Sequence, residues 1–344
     1  MTLPHHVLPL PEHEPRAPLV VLACDDAKDL AKRVAGRLNV GVTPSHDIWF
    51  SCGEGKHVIE ANVRGADVYI FQRPVVPGSD RSPYDRLVML LHAIDAARIA
   101  DADRITVILP YFPGGRQDKR KHNVREGVST GLFARMLSVS GADMVVTIEP
   151  HEESMIGCFD PRQCVFEGIS VTHSFAKYMA EQGIRPDVVG STDVGGLEMA
   201  RKVAQSLSAG IVALSKERDY SRPNTVASTT LIGDVRDRSV LIVDDIVDTA
   251  GSVVSAAHAL WAAGARDLTI AGAHLLLSGP AWERLHGLAA EAARRGTDFQ
   301  VVGTSGITHP QTPAWYREFA LEPLLARVIR SVNTRGSVRA AEGE

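Results

Sequence analysis

Apolar runs of strand length alternate along the chain with segments whose apolar residues recur at helical spacing. Leu19–Ala23, 67–72, Arg104–Leu109 and Met144–Ile148 read as strands. Helix patterns over 27–38, 84–100 and 128–140 separate them. The alternation continues with helices over 171–182, 195–207, 252–263 and 280–294. Between and after these lie strand patterns at 187–190, 211–214, 240–243, 268–274 and 299–302. Near-continuous apolar strands joined by helices of this length predict βαβ units and parallel sheets. Each half has room for about four strands. The pattern therefore predicts two doubly wound, mostly parallel α/β domains: 19–166 and 167–313.

The ends break the pattern. Residues 1–18 hold five prolines and three histidines without periodicity and read as a flexible tail. Residues 336–344 are polar and read as a second loose end. A chain of 344 residues, 44% hydrophobic and 23% charged, has ordinary globular composition for about two domains. A net charge of −4 argues against nucleic-acid binding as the main task. The four cysteines (Cys24, Cys52, Cys158, Cys164) show no CxxC spacing, as expected of a reduced, cytoplasmic protein. No apolar run approaches membrane-spanning length.

The most informative stretch is Leu241–Ser252. An apolar strand pattern ends in Asp244 and Asp245, and Asp248, Thr249, Ala250, Gly251 and Ser252 then open a helix. A helix N-terminus of small and hydroxyl residues presents free N–H groups suited to phosphate. Adjacent carboxylates repel phosphate but suit sugar hydroxyls or Mg²⁺ beside it. Ligands in open α/β sheets bind outside the carboxyl ends of strands. A pentose phosphate fits such a site.

This segment resembles the phosphoribosyl-diphosphate (PRPP) motif of type I phosphoribosyltransferases and PRPP synthetases. Five further stretches extend the resemblance to the ribose-phosphate diphosphokinase family over roughly residues 19–335. They are Phe50-Ser-Cys52-Gly53-Glu54; Pro110–Asp118 with Arg116 and Gln117; Glu149-Pro150-His151; Gly190–Gly196 with Asp193; and Lys216-Glu217-Arg218. Read alone, the first is also a plain hairpin turn, and the last a solvated surface turn.

The resemblance implies diphosphoryl transfer from ATP to the 1-hydroxyl of ribose 5-phosphate, on a type I phosphoribosyltransferase-like fold. It implies ATP contacts from Phe50, Cys52 and Glu54 of a neighbouring subunit, and from Arg116, Gln117 and His151. It places Mg²⁺ at His151 and Asp193, the 5-phosphate on Asp248–Ser252 and the ribose hydroxyls on Asp244 and Asp245. Catalytic cations would be Lys216 and Arg218, at the start of a closing loop over 216–224. A shared ATP site implies a homo-oligomer built on dimers, up to a hexamer, and the segment 314–335 would return to the first domain. Four positions depart from the family pattern. Cys52 stands for Asn, Glu149 for Asp, Pro150 for Leu and Thr192 for Pro. These departures keep open a regulatory relative of the same fold. The PRPP motif alone also fits a type I phosphoribosyltransferase.

Overall fold

The computed structural model describes residues 14–120, 124–193, 195–218 and 226–343, with backbone alone at 215–218 and 226–229. The first half contains β1 (Leu19–Ala23), α1 (Lys28–Leu38), β2 (Ser45–Trp49), β3 (Gly55–Ile59), β4 (Asp67–Phe71) and α2 (Pro83–Ile99). It continues with β5 (Arg104–Leu109), α3 (Ser129–Val139), β6 (Met144–Ile148) and β7 (Val165–Ile169). Five of these strands form a parallel sheet in the order β1-β4-β5-β6-β7. β4 is wholly buried, as its uninterrupted apolar run requires. β2 and β3 pair separately as an antiparallel hairpin.

The second half contains α4 (Thr172–Glu181), β8 (Val188–Ser191), α5 (Leu197–Leu207), β9 (Gly210–Ile211), β10 (Ala213–Arg218), β11 (Val226–Ile232), β12 (Val240–Val247) and α6 (Gly251–Ala262). β13 (Leu268–Leu275), α7 (Ala281–Arg295), β14 (Phe299–Thr304), β15 (Tyr316–Phe319), α8 (Glu322–Asn333) and α9 (Val338–Glu342) follow. A six-stranded parallel sheet runs β15-β14-β13-β12-β8-β9, and β10 and β11 form a second hairpin.

One apolar core is common to both sheets. Val21, Tyr69 and Ile108 from the first meet Leu241, Val243, Ala271 and Val302 from the second through α1, α4, α5 and α8. Separate cores fill the outer faces, under α2 and α3 on one side and α6 and α7 on the other. Polar bridges reinforce the junction. Buried Arg73 donates to Asp29 Oδ1 (2.6 Å) on α1 and to the Ser305 carbonyl (2.9 Å) beyond β14. Arg33 on α1 donates to Glu322 on α8 (2.6 Å).

Several boundaries differ from the sequence pattern. The first sheet keeps the chain as far as Ile169, because β7 pairs with β6 from Val165 to Ile169. Residues 316–319 form an edge strand of the second sheet, so only the helical part of 314–335 lies against α1. The stretch 336–344, expected to be loose, carries α9. Ser337 caps it, Ala341 is buried, and Glu342 accepts the Ser170 N–H. At the other end, residues 1–13 of the expected tail lie outside the described residues. The backbone of Arg16 and Ala17 is tied to Asn333, by Arg16 N–H to the Asn333 carbonyl (2.9 Å) and Asn333 Nδ2 to the Ala17 carbonyl (3.2 Å).

Candidate active site

The site grows from an offset between neighbouring strands. β8 pairs with β12 only up to Ser191 opposite Val243, whereas β13 stays paired with β12 through Val247. β12 thus runs past the end of β8, carrying Asp244 and Asp245 within the strand rather than after it, four residues longer than its apolar run. Where β8 stops, Thr192 Oγ1 donates to Asp244 Oδ2 (2.7 Å). Proline could not supply this bond, so the departure at Thr192 gives the acid a new donor. Next in the turn, Asp193 Oδ1 accepts from the N–H groups of Gly195 (3.0 Å) and Gly196 (3.3 Å).

Beyond β12 the chain passes through Asp248 and Thr249 to Ala250, which caps α6 in the left-handed conformation with φ 58°. A side chain with a Cβ pays for that conformation. No side chain caps the helix. Its first N–H groups remain available to an anion. Arg284 Nη1 holds the turn from behind, donating to the Thr249 carbonyl (2.7 Å).

The first sheet supplies the opposite wall. After β6 the backbone turns sharply at Glu149 (φ 38°), and Pro150 and His151 follow. His151 Nδ1 lies 2.5 Å from Asp245 Oδ2, a bond spanning 94 residues and both sheets. That bond raises the His151 pKa. Burial works to raise Asp245 as well, but the His151 partner holds it below the usual carboxylate range. Its neighbour Asp244 is pushed up, by burial first and then by Asp245 beside it. Environment therefore separates two adjacent acids: one stays ionised, the other gains charge with difficulty. Arg116 completes the wall, donating to Asp248 Oδ2 (2.9 Å). Burial opposes its charge, and the Asp248 bond more than restores it.

These groups line one cavity of about 980 Å³. Arg116, His151, Asp193, Asp244, Asp245 and the whole turn Asp248–Ser252 face it together. The other expected site residues do not. Phe50, Cys52 and Glu54 sit on the exposed turn between β2 and β3, outside the lining of the same chain's cavity. Gln117 is turned to Ser129, accepting from its hydroxyl (2.5 Å). Lys216 and Arg218 belong to β10 by backbone, but their side chains lie outside the described residues, as do residues 219–224 of the expected closing loop.

Three participants escaped the sequence reading. Lys202 lines the cavity from α5, one helical turn after Glu198. His274, the one titratable residue of the largely apolar β13, is buried and donates through Nε2 to the carbonyls of Ile148 (2.9 Å) and Glu149 (3.2 Å). Burial depresses its pKa, so it acts as a neutral brace for the His151 turn. The third is Ser170. Glu149 does not orient His151; its carboxylate accepts from the Val171 N–H (2.7 Å) and the Ser170 hydroxyl (3.3 Å). Asp245 orients His151 instead.

Two predictions follow from the Glu149–Pro150 turn. Burial raises the Glu149 pKa from 4.5 to about 7. The folded carboxyl thus holds its proton more tightly than the unfolded one. Its contribution to stability is complete below the ordinary value and is lost as pH rises through the folded one. Glu149→Gln is expected to match the wild type in Tm near about pH 5 and to exceed it near about pH 8, without added divalent cation. Equal effects at both would refute the linkage. The second concerns Gly168 on β7. A Cβ there would lie 2.7 Å from Pro150 Cγ and 3.2 Å from Cδ, atoms of a rigid ring. Gly168→Ala should cost about 1–3 kcal/mol by overpacking, and adding Pro150→Ala should recover it. A double variant no more stable than Gly168→Ala alone would show that the ring is not the cause.

The fold and cavity define a class: an α/β protein with an acid pair at a strand end and an anion-binding helix start, the site of a ribose-phosphate-handling enzyme. Comparison with known proteins narrows it. The family model for the N-terminal domain of ribose phosphate pyrophosphokinase matches residues 19–141, and the phosphoribosyl transferase domain model matches residues 167–287. The ribose-phosphate pyrophosphokinase of Campylobacter jejuni is 34% identical, over 90% of this chain and 94% of its own. That of Clostridium acetobutylicum is 37% identical over 88% and 90%. The crystal structure of phosphoribosylpyrophosphate synthetase from Mycobacterium smegmatis superposes with a TM-score of 0.80 at 32% identity, covering 93% of this chain and all of that one. The chain belongs to the ribose-phosphate pyrophosphokinase family. Among the described residues, no helix is long and apolar enough to cross a membrane.

Proposed function

We infer that this chain transfers the diphosphoryl group of ATP to the 1-hydroxyl of ribose 5-phosphate, giving PRPP and AMP. The observation that carries this reading is the joining of Asp244, Asp245 and the Asp248–Ser252 turn with Arg116 and His151 across one cavity. A site that only consumed PRPP would not call for the second sheet's partner wall.

Phosphoryl-type transfer relies on positioning and charge stabilisation more than on covalent chemistry. The N–H groups at the start of α6 hold the 5-phosphate. Asp244 and Asp245 accept from the ribose 2- and 3-hydroxyls, which orients the 1-hydroxyl toward the β-phosphorus. That oxygen forms the new P–O bond as the bond to AMP breaks. Arg116 binds the nucleotide, Gln117 must first turn away from Ser129 to join it, and Lys216 and Arg218 offset the charge developing on the transferred group. Among the described residues, no side chain stands out as a general base.

Asp193 supplies the carboxylate oxygen that Mg²⁺ prefers, and His151 a ring nitrogen that would meet the ion directly or through one of its waters. Such an ion takes oxygen ligands and keeps waters. Asp193 retains Oδ2 after Oδ1 is used by the glycine amides, and His151, with Nδ1 donating to Asp245, retains Nε2. His151 and Asp193 would hold it, and Mg²⁺ would neutralise triphosphate charge there. Phe50, Cys52 and Glu54 lie outside their own chain's cavity, which is consistent with a nucleotide site completed by a second copy. We therefore propose a dimer-based homo-oligomer.

Product analysis tests the reading. Purified protein with ribose 5-phosphate, Mg²⁺ and ATP should yield AMP one-for-one with PRPP. ADP would mean single phosphoryl transfer and overturn the mechanism. ATP binding without turnover would favour a regulatory relative, with Cys52, Glu149 and Pro150 the first positions to revert.

A further inference from the structure

A second constellation of chemistry-bearing side chains lies in the first half, apart from the cavity. Cys24 directly follows β1 and is wholly buried. Asp47 and His57 sit directly opposite each other in the β2–β3 ladder, so their side chains share one face of the hairpin. His57 Nδ1 lies 2.7 Å from Asp47 Oδ1, and Asp47 Oδ2 accepts the Asp25 N–H (2.9 Å). One donor atom from each of Cys24, Asp47 and His57 lies within 4.8 Å of the other two. His57 Nε2 is buried and has no hydrogen-bond partner.

An orphaned buried nitrogen costs about 1–3 kcal/mol, and the imidazole that carries it stands in one cluster with a thiol and a carboxylate. We propose that Cys24, Asp47 and His57 bind one Zn²⁺ that clamps the β2–β3 hairpin to the end of β1. A thiolate, an imidazole and a carboxylate form a donor set for zinc and not for Mg²⁺. Zinc bonds of about 2.0–2.3 Å would replace the His57–Asp47 hydrogen bond (2.7 Å), with small rotations of both side chains. The Asp25 N–H fixes the carboxylate from outside, as outer-shell donors do in metal sites. Three protein ligands leave a fourth position for water.

The clamp acts on the element that bears Phe50, Cys52 and Glu54. That turn joins Trp49 to Gly55, two residues beyond Asp47 and two before His57. Zinc would fix the base of the arm whose tip completes a neighbouring nucleotide site.

The test uses full-length protein, reduced and stripped with a chelator. Zn²⁺ titrated against a chromophoric competitor should reveal one tight equivalent per chain. Cys24→Ser and His57→Gln should each weaken it by about tenfold or more, and zinc should raise Tm in the wild type but not in Cys24→Ser. His151→Ala should retain the equivalent, separating it from the cavity's own cation site. Co²⁺ in the wild type should give a thiolate-to-cobalt charge-transfer band. Its absence, the absence of a tight zinc equivalent, or an equivalent undiminished in Cys24→Ser would each overturn the proposal. These results would leave His57 as a buried side chain hydrogen-bonded to Asp47, with no metal role. If the variants fail to fold, the wild-type cobalt spectrum decides.

Discussion

Lys216→Ala is expected to lower kcat by about 10²–10³-fold, the usual loss when one donor to a developing charge is removed. Ribose 5-phosphate should bind as before, because on the proposed reading its phosphate and hydroxyls would be met by the α6 start and the β12 acids. Initial rates of AMP release, beside calorimetric titration of ribose 5-phosphate, separate the two effects. Lys216 lies on β10, opposite Thr229 in the hairpin ladder, at the edge of the stretch expected to close over the polyphosphate. Closure would exclude water, which would otherwise compete with the sugar hydroxyl for the β-phosphorus. Near-normal turnover in this variant would remove Lys216 from the catalytic group.

Asp245→Ala should be as damaging by a different route. This carboxylate is kept ionised by His151, and charge-assisted hydrogen bonds are worth about 1.5–3 kcal/mol each. Loss of its bonds to ribose and to His151 together predicts a fall in kcat/KM for ribose 5-phosphate of about 10³-fold. KM for ATP should rise as well, since His151 loses its orienting partner (2.5 Å). Asp245→Asn should recover part of the nucleotide effect, because its amide oxygen can still accept from Nδ1–H, but little of the ribose effect. An Asp245→Ala enzyme with unchanged KM for ATP would show that the cross-sheet bond does not orient His151.

What could be read from the sequence, and what could not, divides by locality. Buried central strands such as β4 and β5 announce themselves as apolar runs. The two strands of the main sheets that the pattern does not show, β7 and β15, lie at sheet edges and carry charges (Glu167; Arg317 and Glu318) that edges tolerate and centres do not. The β2–β3 hairpin was hidden by His46, Asp47, Lys56 and His57, which blur strict alternation. At the site, the acid pair and the phosphate turn were legible because one strand and one helix start hold all their residues. The partners of those residues were not. Asp245 meets His151 and Asp248 meets Arg116 over 94 and 132 residues, and no local pattern encodes such meetings. The departure at Thr192 acquires its meaning only in the fold, where its hydroxyl donates to Asp244.

The core common to both sheets also decides how this enzyme can breathe. Many two-lobed enzymes open by swinging one lobe away from the other about a hinge. Here such a swing would expose Val21, Leu241, Ala271 and the inner faces of α1, α4, α5 and α8, and would tear Arg73 from Ser305. Apolar exposure on that scale costs about 25 cal/mol per Å², far beyond thermal reach. Substrate entry and product exit are therefore left to local segments around a fixed frame. The halves should melt as one cooperative unit, and neither is a module that could be cut out and kept.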